Sequence, residues 1–180
     1  MRRSVSWAHM RRLAAVATLA LTLLLVACSP SSSATPIVTP KASSEVASVA
    51  FSSTQLRIET PQGARDVEVE VATTSAQSER GLGYRDALPA DAGMIFDLHT
   101  THRAEFWMKG MRFALDMVWI GEDRRVVSVT ADIPPQPGAP DAQLRRYSSE
   151  APVRYVLELN ANTAARFGIA PGAQLTFTLP

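Results

Sequence analysis

The 180-residue chain carries 18 Lys and Arg against 17 Asp and Glu, and 46% of it is apolar. Nucleic acid is excluded as a partner, since a phosphate backbone calls for clustered cations and Lys41 and Lys109 are the only lysines.

The chain opens with a basic start (Arg2, Arg3, Arg11, Arg12), an apolar run from Leu13 to Ala27, and then Cys28. The run is shorter than the roughly 20 residues a spanning helix needs. Leu25-Val26-Ala27-Cys28 resembles a bacterial lipobox, which implies removal of residues 1–27 as a signal peptide and attachment of lipid to Cys28. Cleavage there removes four arginines and no acid, so the net charge falls from +1 to −3. The expected address is the bacterial cell envelope, with the membrane as partner through the Cys28 anchor. Ser29 stands where a retention signal for the inner membrane would place Asp, which favours the outer membrane in a two-membrane host and the outer face of the cell membrane in a one-membrane host. Cys28 is the only cysteine, so the folded domain can hold no internal disulfide, thiolate metal site or thiol nucleophile.

Residues 28–54 are rich in Ser, Pro, Thr and Ala, a composition that buries too little surface to order itself. They are expected to form a lipidated, flexible tether with a reach of roughly 25–30 Å. A strand around Val46–Phe51 that joins the fold is the alternative.

Residues 55–180 form a single domain in this reading. Leu56 and Ile58, then Val67, Val69 and Val71 interleaved with Glu68 and Glu70, alternate as half-buried strands do, and Pro61-Gln62-Gly63 supplies the turn between them. Thr74-x-x-Gln77 is a capping box for a short helix ending near Gly81–Gly83. Apolar strands follow at 93–96, 104–108 and 115–120. Gly121-Glu122-Asp123 then turns the chain into Val126–Val129. The Pro-rich stretch 134–140 is a loop. A strand at 155–159 precedes a second helix, capped by Asn160 or Asn162 and closed by Gly168, and residues 175–179 form the last strand. The fold class expected is mainly β: a compact sandwich or barrel of seven to eight short strands with two short helices.

Several strings together resemble the family called domain of unknown function 192. They include Glu79-Arg80-Gly81-Leu82-Gly83-Tyr84-Arg85, Leu88-Pro89 through Met94-Ile95-Phe96, Phe106-Trp107-Met108-Lys109-Gly110-Met111, Leu115-Asp116-Met117, Pro134-Pro135, Ser148-Ser149 and Tyr155 through Ala161. The resemblance covers nearly all of 66–179 and implies a compact β domain, often secreted or lipid-anchored, without an established activity. Gly83-Tyr84 stands where the family often has Met-Gly, and Gly110-Met111 where it often has Asn-Thr. The loop 134–147 lacks the cysteines that family members often carry there, so no redox or metal role rests on it.

Arg80, Arg85, Trp107, Lys109 and Asp116 are the candidate ligand-binding residues. Arg80 and Arg85 flank a glycine-bearing turn and suit a carboxylate or phosphate. Trp107 and Lys109 share a strand face, one to stack and one to meet an anion. The structural alternatives pair Lys109 with Glu105 or Asp116, and the arginines with Asp86, Asp91 or Asp97. Asp116 in an apolar strand is either an acid of raised pKa or an acceptor for loop backbone, Lys109 or Arg112. Glu158, between Leu157 and Leu159, is read as facing solvent. Asp97, His99 and His102 form no firm metal pattern, and no serine-nucleophile or nucleotide-phosphate motif is present. No catalytic set, metal or cofactor is expected. The leading function is an envelope binding or accessory domain for a small anionic ligand, glycan or protein. An enzyme using Asp116 or Glu158 as acid or base, and a purely structural lipoprotein, are the alternatives. The anchor is directly checkable: intact mass should show lipid on Cys28, and carbonate washing should leave the protein with the membranes.

Overall fold

The computed structural model describes residues 49–180, so the signal, Cys28 and most of the tether lie outside the described residues. Nine strands and two short helices fill the described part, confirming the mainly β fold with more strands than expected.

Strand β1 (Ser52–Thr60) turns through Pro61-Gln62 into β2 (Gly63–Ala72), and the pair is antiparallel throughout. Thus β1 already holds Ser52, Ser53 and Thr54, residues assigned above to the tether. Helix α1 (Ser75–Arg80) carries the capping box: Gln77 N–H donates to Thr74 Oγ1 at 3.2 Å, and Gln77 Oε1 accepts from Thr74 N–H at 3.0 Å. Strand β3 (Ala92–His102) follows, then β4 (Glu105–Trp107), β5 (Leu115–Ile120), β6 (Val126–Ile133), β7 (Arg146–Ser148) and β8 (Val153–Asn160). Helix α2 (Thr163–Phe167) and β9 (Gln174–Phe177) complete the chain.

Seven strands make one curled sheet in the order β6-β5-β8-β3-β2-β1-β9, with β2 and β3 its only parallel neighbours. Its two margins approach each other. Arg125 bridges Gln174, Val126 N–H donates to Ala173 O at 2.9 Å, and Leu175 N–H donates to Arg124 O at 2.9 Å. Inside the curl, Leu56, Ile58, Val69, Ile95, Val118 and Leu157 form one core, and Ala164 and Phe167 of α2 pack into it.

The alternation in β1 and β2 reflects that single buried face. Strands β5 and β8 behave differently, since every residue of β5 is buried and β8 is buried almost throughout. Their outer face carries a second core, in which Met94, Phe96, Met117 and Trp119 lie beneath Leu82, Met108, Met111 and Tyr147. Strand β7 pairs with β4 as a separate two-stranded sheet. Ser149 is buried, and its Oγ accepts from Ala104 N–H at 3.0 Å.

Asp116 replaces the helix cap expected from Asn160 or Asn162. Asn162 sits at φ 69 and offers no side-chain cap, while Asn160 Nδ2 donates to Leu88 O and Pro89 O. The fully buried Asp116 carboxylate instead accepts Ala164 N–H at 2.8 Å, Asn162 N–H at 3.1 Å and Asp132 N–H at 2.9 Å. One side chain thereby satisfies the α2 N-terminus and fixes the end of β6 against β5. Asp116→Ala leaves these donors without a partner, at a cost of roughly 3 kcal/mol or more. Thermal unfolding followed by circular dichroism should show a melting temperature lowered by about 10 °C.

Candidate functional site

The outer face of the sheet is not covered evenly. Between the end of α1, strand β4 and strand β7 lies a pocket of about 300 Å³. Sheet residues Phe96, Leu98 and Glu158 form its floor, and Leu82, Phe106 and Met111 contribute apolar walls. Phe106 meets Phe96 edge-to-face at 5.0 Å and Trp119 at 5.8 Å, which fixes the wall.

The rim is charged. Arg80 and Glu79 come from α1, Glu105, Trp107 and Lys109 from β4 and the turn after it, and Arg146 from β7. Lys109 Nζ pairs with Asp141 at 2.5 Å and lies 5.2 Å from the Trp107 ring centre. Asp141 holds the Lys109 ammonium above its usual pKa. Arg146 stacks at 3.7 Å over the same ring and lies 3.8 Å from Glu105. Trp107 therefore stacks a cation of the protein, where a ligand had been expected. Arg80 lies 5.1 Å over the ring of Tyr84.

Glu158 overturns its solvent-facing reading. It is only 4% exposed, and its register neighbours are Met94 on β3 and Met117 on β5. Burial alone pushes its carboxyl up to about 8, with no charged or hydrogen-bonding partner contributing. At neutral pH it is mostly the uncharged acid, the kind of perturbed group that marks functional sites.

Of the residues singled out in the sequence, Arg80, Trp107 and Lys109 meet in this pocket, while Arg85 and Asp116 do not. Arg85 grips Glu70 through two 2.6 Å hydrogen bonds, which raise its pKa, and lies 5.5 Å over the Phe51 ring. Its pairing with Glu70 replaces the aspartate partners expected. Asp116 is sealed beneath α2. Lys109 finds neither Glu105 nor Asp116 but Asp141, 32 residues away. Asp97 pairs with Arg154, His99 Nε2 contacts Thr73 O at 2.6 Å, and no cluster able to hold a metal occurs among the described residues.

Sequence reasoning passed over Arg146, and nothing local marks it: a three-residue strand carries no period. For Glu158 a signal existed. Apolar residues at both parities of β8, Tyr155, Val156, Leu157 and Leu159, imply cover on both faces.

Tyr84 and Gly110 meet beside this pocket, in the lining of a neighbouring cavity. Tyr84 N–H donates to Gly110 O at 2.8 Å, and a Cβ on Gly110, at φ 68, would lie 2.9 Å from the Tyr84 ring. Glycine at 110 thus leaves room for the Tyr84 ring, and the contact ties the α1 turn to the turn after β4.

A curled seven-stranded half-barrel with a covered outer face defines a small β domain of uncharacterised activity. The chain belongs to the DUF192 family, described as Uncharacterized ACR, whose model matches residues 57–177. A Sinorhizobium meliloti 1021 protein described as a candidate transcription regulator is similar at 35% identity and a TM-score of 0.65, over 72% of this chain and 96% of that one. A protein of unknown function from Novosphingobium aromaticivorans DSM 12444 is 29% identical with a TM-score of 0.63, over 72% of this chain and 94% of that one. No curated protein matches significantly.

The raised Glu158 pKa has a definite sign in stability. The folded state holds this proton to about 8, against 4.5 for a solvated glutamate side chain, so the stabilising contribution is complete below pH 4.5 and is lost as pH rises toward 8. Glu158→Gln removes that loss. The melting temperature of the variant relative to wild type should rise by about 10 °C from roughly pH 5 to pH 9. A difference that stays flat across this range would contradict the burial argument.

Proposed function

We propose that this protein is a lipid-anchored domain of the bacterial envelope that binds a small anionic ligand in the pocket between α1, β4 and β7. The observation that carries the reading is the convergence of Arg80, Lys109 and Arg146 on one aromatic pocket floored by a buried acid. Lys109 and Arg146 have acidic partners, but Asp141 and Glu105 are more than half exposed. Ion pairs of that kind contribute only about 0–1 kcal/mol, so an entering anion displaces them at little cost. Apolar walls with a few convergent polar groups, at the small end of usual pocket volumes, suit a small molecule better than a polymer.

The enzyme reading narrows to Glu158, because Asp116 is buried and its oxygens are occupied by three backbone amides. A neutral acid lining a pocket is suited to proton donation, so catalysis would use the same pocket.

Native mass spectrometry of the full chain should reveal a co-purified small anion, absent from the Arg80→Ala/Lys109→Ala variant. Both side chains are at the rim, so the melting temperature should change by less than about 3 °C. A variant that unfolds early while retaining the anion would instead assign these cations to the fold.

A further inference from the structure

Among the described residues Glu158 has no hydrogen-bond partner. It is 4% exposed, between two methionines, and no opposite charge from those residues acts on it. A buried polar group in that position is costly unless something satisfies it, and the open side is the pocket.

The surroundings decide what that something is. Phe96 and Leu98 of β3 flank the acid on the floor, α1 presents Glu79 and Arg80, β4 and its turn present Glu105 and Lys109, and β7 presents Arg146. All these charges belong to the rim, and three are cations. A cationic ligand seeking Glu158 would have to pass them, whereas an anion is drawn to the rim and stays there. The inner half is aromatic and thioether, and offers one neutral carboxyl that donates a single hydrogen bond.

Building on the binding role proposed above, we infer that the ligand is two-ended. A hydrogen-bond acceptor such as a carbonyl oxygen meets the Glu158 carboxyl at the inner end, a flat apolar body lies against Phe96 and Phe106, and an anion lies among Arg80, Lys109 and Arg146. Small oxo-carboxylates are the chemical class. The Glu158 proton is what distinguishes them from plain apolar acids. As pH rises toward 8 the carboxyl ionises, repels the carbonyl oxygen, and loses that discrimination.

The test uses the full chain in detergent, titrated by calorimetry with 4-acetylbenzoate and with 4-isopropenylbenzoate, which keeps the planar frame and puts a methylene carbon in place of the carbonyl oxygen. At about pH 6 the acetyl compound should bind at least about tenfold tighter, and by about pH 9.5 the preference should fall toward unity. Glu158→Gln keeps a donor at every pH, so this variant should prefer 4-acetylbenzoate equally at both. Equal binding of the two compounds at the lower pH overturns the two-ended ligand and leaves the anion-binding reading in place. Failure of both to bind removes both readings. Tighter binding of benzylamine than of 4-acetylbenzoate would make Glu158 a counter-ion and overturn the inference.

Discussion

The constraint on which the rest depends is that β3, β5 and β8 are covered on both faces. A strand in that position has no solvent side to which a polar residue can turn. Two acids nevertheless occupy this layer on adjacent strands, Asp116 on β5 and Glu158 on β8. Their burial is alike and their circumstances are opposite. Asp116 belongs to the α2 side and accepts three backbone N–H groups, so it stabilises the fold. Glu158 belongs to the other face and has only a pocket before it. Burial by itself therefore does not say what an acid does in this layer; its partners separate Asp116 from Glu158.

The pocket is assembled almost wholly from segments outside the seven-stranded sheet. The sheet gives a rigid floor, and α1, β4 and β7 arrive from separate parts of the chain to build walls and rim. The Tyr84 contact with Gly110 joins two of these, and β4 pairing with β7 joins the third. Each rim cation is held by something local: Lys109 by Asp141, Arg146 by the Trp107 ring, Arg80 by the Tyr84 ring.

Much of the fold was legible in the residues. Alternation in Val67, Val69 and Val71 marked β2, Thr74 and Gln77 marked the start of α1, and Gly168 marked the end of α2, because each signal is local. What escaped was non-local. The cap of α2 lies 48 residues upstream in Asp116, and Arg85 finds Glu70 across 15 residues. Glu158 was misread because alternation was assumed where the apolar residues of β8 already occupied both parities. Arg146 was missed because three residues of β7 are too few to show a period. For the site, the sequence supplied Arg80, Trp107 and Lys109, and only the folded chain joined Glu158 to them.

The meeting of the sheet's margins has a consequence for life in a crowd. An open row of backbone donors and acceptors is a template on which neighbouring copies polymerise. Here the Arg124–Val126 stretch is engaged by Gly172–Leu175, so the beginnings of β6 and β9 occupy one another. High local density, such as tethering in two dimensions would produce, thus offers little invitation to strand exchange at this seam.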